Sequence, residues 1–304
     1  MSEFKVSMIG CGNVGTAAAY ALLLEGLASE LVLLDIDRGR AEGLTLDFDH
    51  SMSFLNPTKV FGTDDYKDTK DSDLVIITAG AKQQEGQTRL DLIGKNRAIF
   101  QKIIPEVVKN SPNCMILIVS NPVDVLTYET IKLSGFTANR VFGSGTMLDT
   151  ARLRFHISEK IEINPKSINA YVLGEHGNSS FPVFSSADVA GTPLIGLENF
   201  SKKDADEVYE LTKKAAYRII NDIGYTAYSI GVVVREITSA IFYDKQIATP
   251  LSVLLEDYYG LNEVCLSVPV ILGREGVSSV IKLPLSDNEQ AALNKSAEIL
   301  KSFN

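Results

Sequence analysis

Short apolar runs and helix-spaced stretches alternate through the first half of the chain. Residues 4–9 alternate apolar and polar positions before closing on Met8 and Ile9, which predicts a strand. Gly10-Cys11-Gly12-Asn13-Val14-Gly15 follows, and residues 16–24, rich in Ala and Leu, predict a helix. Leu31 to Leu34 form a second buried strand, residues 38–49 an amphipathic helix, and residues 58–61 a short strand. The run Asp73-Leu74-Val75-Ile76-Ile77-Thr78 is the stronger strand signal, because β-branched side chains without alternation suit a parallel strand covered on both faces. Helical spacing over residues 93–109, a buried strand over 115–119, a helix over 123–133 and a short strand over 140–143 complete the series. Alternation of this kind predicts an α/β fold with a Rossmann-type, doubly wound parallel sheet over residues 1–143.

The pattern changes in residues 144–304. Ser201-x-x-Asp204 is similar to a capping box and opens a helix over 201–222, closed by Gly224. A mostly apolar helix follows over 227–242. Residues 249–255, 264–272 and 277–283 read as strands joined by tight turns, hence antiparallel. Ser286-Asp287-Asn288-Glu289 is a capping box for a last helix that buries Ala292, Leu293 and Leu300. The expectation is an α+β second domain with antiparallel strands, behind the parallel one.

Composition narrows the function classes. The 304 residues are 45% hydrophobic, enough for a large core in one or two domains. The net charge is −9, and the basic residues are scattered among acidic ones, which argues against nucleic acid as a partner. Cys11, Cys114 and Cys265 are isolated in apolar settings and lack metal-ligand spacing. They read as buried small hydrophobes in a reducing compartment, with no metal expected. No apolar run nears the roughly 18 residues of a membrane span. Residues 1–3 lead almost directly into the first strand, so no secretion signal is expected and a cytoplasmic location is.

The candidate chemistry begins at the glycines. In strand–G-x-G-x-x-G–helix, Gly10 permits a tight turn, Gly12 lets the backbone approach a pyrophosphate, and Gly15 lets helix and strand pack closely. Alone the pattern describes only a tight turn. Asp35, 20 residues after Gly15 at the end of the second strand, stands where an acid can bind the ribose hydroxyls of NAD and repel the 2′-phosphate of NADP. Ala79-Gly80-Ala81 lets backbone pass close to a ligand. The polar segment Lys82-Gln83-Gln84-Glu85-Gly86-Gln87-Thr88-Arg89 suits a movable lid, although its composition alone favours a plain solvated loop. His176, one of three histidines, lies in Gly174-Glu175-His176-Gly177, and an imidazole is the side chain best suited to pass a proton near neutral pH. Asp149 and Arg152, three apart on a helix, share a face; the bland reading is a local surface ion pair.

Taken in order, these segments resemble the L-lactate/malate dehydrogenase family over essentially the whole chain. Thr78-Ala79-Gly80-Ala81, Gln83 through Arg89, Ser120-Asn121-Pro122-Val123-Asp124, and Gly143-Ser144-Gly145-Thr146-Met147-Leu148-Asp149-Thr150-Ala151-Arg152 carry the resemblance, together with the glycine and histidine motifs. It implies NAD contacts from Gly10, Gly12, Asn13, Val14, Gly15, Asp35, Thr78, Ala79, Gly80, Ser120 and Asn121. It implies a substrate domain in residues 144–304. There Arg152 holds the substrate carboxylate, His176 is the proton donor and acceptor, and Asp149 orients the imidazole. Arg89 arrives with the lid and stabilises the reacting oxygen, near which Asn121 also binds. Thr226 lines the pocket, or alternatively caps the following helix.

Within the family the resemblance is to the L-lactate dehydrogenases of glycolysis and fermentation. Malate dehydrogenases carry an arginine where Gln83 stands, six residues before Arg89, and a neutral Gln83 offers a second carboxylate no partner. The implied substrates are pyruvate and L-lactate. The implied assembly is a homo-oligomer without an N-terminal arm, a tetramer ahead of a dimer. Arg154 matches a family position for fructose 1,6-bisphosphate, but Asn169 stands where a histidine is expected, which implies weak or absent activation. Asn178, where the family usually has an acid, implies only a local effect. The rival readings are a malate dehydrogenase or broader 2-keto acid reductase, a metal-requiring NAD-dependent glycosidase, and a catalytically idle NAD-binding structural protein.

Overall fold

The computed structural model describes residues 4–81 and 89–303, except for the side chain of Arg89. Gln83 and the expected lid over 82–88 lie outside the described residues, as does the side-chain role expected of Arg89. In chain order the first half holds β1 (Lys5–Ile9), α1 (Asn13–Glu25), β2 (Glu30–Leu34), α2 (Arg38–Ser51), β3 (Lys59–Thr63), β4 (Leu74–Ile77), α3 (Arg89–Asn110), β5 (Met115–Ile118), α4 (Val123–Ser134) and β6 (Val141–Gly143). Their strands pair in parallel in the order β3-β2-β1-β4-β5-β6, the doubly wound order expected of the alternation.

Side chains on these strands alternate between two cores. Val6, Met8, Leu31, Leu33, Leu74, Ile76 and Leu117 face one, while Ile9, Leu34, Val75, Ile77, Ile116 and Ile118 face the other. Both faces are therefore covered, which explains the absence of polar alternation in β4 and β5. The second core is closed by Phe100 and Ile104 of α3 and Leu126 of α4.

The second half runs α5 (Met147–Ile161), β7 (Ile168–Leu173), β8 (Phe181–Val189), β9 (Thr192–Pro193), α6 (Lys202–Ile223), α7 (Tyr228–Phe242), β10 (Ile247–Leu254), β11 (Cys265–Gly273), β12 (Gly276–Val280) and α8 (Asp287–Lys301). β7, β8 and β9 make a small antiparallel sheet. β10, β11 and β12 are antiparallel, as expected, but they continue the large sheet: Ser252 of β10 pairs with Gly143 of β6. The nine-stranded sheet thus draws strands from both sides of position 143. α7 lies on the first core, where Val234, Ile237 and Ile241 join Leu22 and Leu23 of α1. Gly231 makes this approach close, since a Cβ there would stand 2.9 Å from the Ala17 carbonyl.

Three local expectations change. The connection between β10 and β11 is not a tight turn but residues 255–264, pinned by a Tyr258–Leu261 bridge; only Arg274-Glu275, between β11 and β12, is tight. β12 ends at Val280 rather than 283. Ala227, not Thr226, stands at the position before α7, and no side chain caps that helix.

Candidate active site

The glycine turn joins β1 to α1 with the geometry its residues require. Gly10 has φ +98°, and a Cβ there would come within 2.6 Å of the Ala79 amide nitrogen. At Gly15 a Cβ would run into the Gly10 carbonyl. In front of Gly12, by contrast, nothing lies within 4 Å, which leaves room for an anion against the backbone. Asn13, Val14 and Gly15 form the first turn of α1, whose amides have no acceptor within the helix. Thr78 closes the turn from β4, its hydroxyl donating to the Gly10 carbonyl at 2.6 Å.

Asp35 ends β2 beside this turn. Its Oδ2 accepts the Cys11 amide at 2.6 Å and its Oδ1 accepts the Asp37 amide at 2.9 Å. The carboxylate thus fixes the shape of the turn. The Cys11 thiol beneath is pushed up to about 12 by burial and by the Asp35 charge, so it stays protonated. Thr78, Ala79 and Gly80 leave the end of β4, and the Ser120 hydroxyl after β5 donates to the Ala79 carbonyl at 2.7 Å. The residues expected to hold NAD therefore gather at the C-terminal ends of β1, β2, β4 and β5, the ligand-binding edge of such sheets. Open space at Gly12 and unpaired first-turn amides fit a pyrophosphate. An acid at Asp35 fits a ribose.

His176 stands beyond β7, in the loop before β8. Its Nδ1 is 2.7 Å from Asp149 Oδ2, on the first turn of α5. Arg152, one turn along, donates from a guanidinium NH to Asp149 Oδ1 at 3.1 Å. The helix spacing thus does build an ion pair, but it is no surface one: side-chain exposure is 16% for Asp149 and 11% for Arg152, against 28% for His176. Burial disfavours charge on both members of the Asp149–His176 pair. Mutual attraction and the shared hydrogen bond outweigh it, holding the Asp149 carboxyl below and the His176 imidazole above their ordinary values.

The loop carrying His176 is fastened on several sides. Gly174, at φ +90°, exchanges backbone hydrogen bonds with Ser267 of β11, and the Glu175 amide donates to the Ser296 hydroxyl of α8 at 2.6 Å. The His176 amide donates to Asp124 Oδ2 at 2.7 Å. Asp124 belongs to the first turn of α4, three residues past Asn121, so the histidine loop is tied directly to the segment expected to meet the nicotinamide. The Asn121–Pro122 peptide is cis, and Asn121 Oδ1 accepts the Val123 amide at 3.3 Å. No hydrogen bond among the described residues ties Thr226 to His176.

Two polar residues of the site carry roles that the sequence does not announce. Asn96 on α3, 1% exposed, accepts the Ala81 amide on Oδ1 and donates from Nδ2 to the Asn121 carbonyl, both at 2.7 Å. A signal existed, since Asn96 falls on the same helical stripe as Ile93 and Phe100, where an apolar residue would be usual. Asp124 is 2% exposed, and as a helix first-turn acid it would ordinarily pass for a charge complementing the helix dipole.

Both halves of the chain are similar to known proteins. Residues 4–143 match the family model for the lactate/malate dehydrogenase NAD binding domain, and residues 146–303 that for the lactate/malate dehydrogenase alpha/beta C-terminal domain. An L-lactate dehydrogenase of Acetivibrio thermocellus is 44% identical, over 98% of this chain and 96% of that protein. One of Clostridium botulinum is 46% identical, over 98% and 95%. Among solved structures, a lactate dehydrogenase from a Medee basin deep-sea metagenome superposes with a TM-score of 0.95 at 40% identity, covering 100% of this chain and 98% of that one. The minor L-lactate dehydrogenase of Enterococcus mundtii, in its ligands-bound form, gives 0.96 at 37% identity, with the same coverage. With both of its halves matched and full-length relatives at this identity, the chain belongs to the lactate/malate dehydrogenase family.

Proposed function

We propose that the protein is an NAD-dependent L-lactate dehydrogenase that reversibly reduces pyruvate to L-lactate. The observation that carries the reading is the Arg152–Asp149–His176 chain of contacts, fastened through Asp124 to the segment following Asn121. Residues 1–143 serve as the cofactor-binding domain and residues 144–304 as the substrate-binding one. Gly10, Gly12, Asn13, Val14 and Gly15 receive the pyrophosphate. Asp35 receives the adenine ribose, and Thr78, Ala79, Gly80, Ser120 and Asn121 line the way to the nicotinamide. Bound NADH supplies the hydride for the keto carbon.

The chain's own side chains do the rest. Asp149 occupies His176 Nδ1, so Nε2 is the nitrogen left to give its proton to the keto oxygen, and to take it back in lactate oxidation. Arg152 holds the substrate carboxylate, for which a planar guanidinium fork is suited. Arg89 meets the charge that grows on the keto oxygen, with Asn121 beside it, and Thr226 and Gln83 bound the space for the methyl group. Because the imidazolium is the reducing-direction proton donor, pyruvate reduction slows as pH rises through the raised His176 value. Asp149→Asn moves that limb to lower pH.

Initial rates with NADH against pyruvate and oxaloacetate test the substrate. We expect pyruvate to be preferred and Gln83→Arg to shift relative kcat/KM toward oxaloacetate; an unchanged ratio sinks the pocket assignment. His176→Gln is expected to cost nearly all turnover while NADH binding stays close to wild type. Loss of NADH binding would make this histidine structural.

The same reading extends to regulation, assembly and location. Arg154 donates from Nε to the Ala170 carbonyl and lies 5.0 Å over the Tyr171 ring, while Asn169 bonds Asp188. With an acid beside Asn169, fructose 1,6-bisphosphate is expected to lower the pyruvate KM little or not at all, and a large drop would overturn this. Family likeness favours a homo-oligomer, a tetramer ahead of a dimer; exposed Tyr20, Leu46, Phe54 and Phe155 are apolar surface that an assembly could cover, and light scattering on the eluting protein would test it. The three buried, unpaired thiols favour a reducing, cytoplasmic location. Among the described residues no helix is long and apolar enough to cross a membrane.

A further inference from the structure

We propose that Asp124 is a positioning residue for proton transfer, gripping the main chain of His176 and placing a second negative charge beside its imidazole. The proposal rests on the reading of His176 as proton carrier.

Asp124 uses both carboxylate oxygens. Oδ2 accepts the His176 amide at 2.7 Å, and Oδ1 accepts the Ser252 hydroxyl of β10 at 2.6 Å. An asparagine would satisfy the same amide hydrogen with no charge. Burying an ionised carboxylate is costly unless something repays its lost hydration. Two short hydrogen bonds and the positive end of the α4 dipole offset part of that cost, and a nearby imidazolium offsets more.

Among the described residues, the charged groups around His176 come from two helices and from its own loop, where the buried Glu175 carboxylate accepts the Ser179 hydroxyl. α5 brings Asp149 and Arg152, whose charges oppose each other, and α4 brings Asp124. Beyond them stand the Tyr209 phenol of α6, bonded to the Ser180 carbonyl, and the Cys265 thiol of β11, which feel the Asp149 and Asp124 charges respectively. Burial lowers the proton affinity of His176, Asp149 raises it most, and Asp124 adds to that rise while Arg152 detracts. Part of the Asp149 charge is tied up by Arg152, so Asp124 supplies a field that Asp149 alone does not. It also joins α4, β10 and the histidine loop in one chain of contacts, so the imidazole is held from its backbone as well as from its ring.

The pH dependence of kcat/KM for pyruvate tests this, with Asp124→Asn and Ser252→Ala measured beside the wild-type enzyme. In Asp124→Asn the alkaline limb is expected to move to lower pH by about one pH unit, a tenfold loss of proton affinity. NADH affinity is expected to stay within about twofold in the same variant. Ser252→Ala keeps the charge but removes a donor that partly neutralises it, so its limb is expected to move to higher pH. An unmoved limb in Asp124→Asn overturns the proposal, whatever the loss of rate. Should that variant fail to fold, an unmoved limb in Ser252→Ala overturns it equally. If His176→Gln keeps the wild-type limb, the proton-carrier reading of His176 has failed instead.

Discussion

Asn96 joins two loops that the sequence keeps far apart. Its amide group satisfies the Ala81 N–H and the Asn121 C=O, at the two points where backbone leaves β4 and β5 toward the expected cofactor. Asn96→Ala would leave both part-buried groups without that partner, a loss of up to about 1–3 kcal/mol for each group that water cannot reach. Urea unfolding is expected to report the loss as a lowered midpoint with an unchanged slope, and steady-state kinetics as a raised KM for NADH. A midpoint equal to wild type would mean the bonds are replaced by water. Such residues mark the limit of what the sequence discloses. The glycine turn, Asp35 and the Asp149/Arg152 spacing are contiguous or regularly spaced, so their chemistry shows in the text of the chain. Asp124 meets His176 across 52 positions and Ser252 across 128, and only folding brings them together.

At the level of elements, ends and interiors differ in how plainly they announce themselves. The Ser201/Asp204 box opens α6 as its spacing predicts, with the Asp204 amide donating to Ser201 Oγ at 3.3 Å and the Ser201 amide to Asp204 Oδ2 at 2.9 Å. Ser201→Ala is expected to cost about 1 kcal/mol, read by denaturant unfolding, with little effect on turnover because α6 supplies none of the proposed chemical groups. The Glu289 of the second box does more than cap. Its carboxylate also accepts the Phe184 and Ser185 amides of β8 at 2.9 and 3.1 Å, which fastens α8 to the small sheet. That sheet was the least legible part of the fold. Over β8 the pattern is broken by Pro182 and by Ser185-Ser186, and β9 has two residues, too short for any periodicity. The central parallel strands β4 and β5 were legible because double burial leaves them no polar position.

For the molecule as a whole, stability and the site are linked through protons. His176 is held above its unfolded value of 6.5, so its contribution is complete below that pH and is lost as pH climbs through the folded value. Asp149 is held below 3.8, so its contribution is complete above that and is lost in acid. The stability advantage of wild type over His176→Gln is therefore expected to be greatest between these limits and to shrink toward alkaline pH. Urea midpoints measured across that range check this, and a constant difference would mean the pair is not coupled to folding. The change of pattern after position 143 is plain in the sequence; that the large sheet would run on across it was not. A strand's free edge carries no mark of its future partner, and Ser252 meets Gly143 only through the folded backbone.

That shared sheet has a consequence for how the protein is made. When a ribosome has delivered residues 1–143, β6 is a bare edge, and the face later covered by α7 still shows Leu22, Leu23 and their neighbours to water. More than a hundred further residues must emerge before Ser252 can close that edge. The nascent nucleotide-binding half is thus a half-built wall, sticky along one side and one face, for most of the remaining synthesis. Expressed alone, residues 1–143 are expected to associate or bind a hydrophobic dye. Supplied with residues 144–304 in trans, they are expected to lose that dye binding as the missing strands and helix come home.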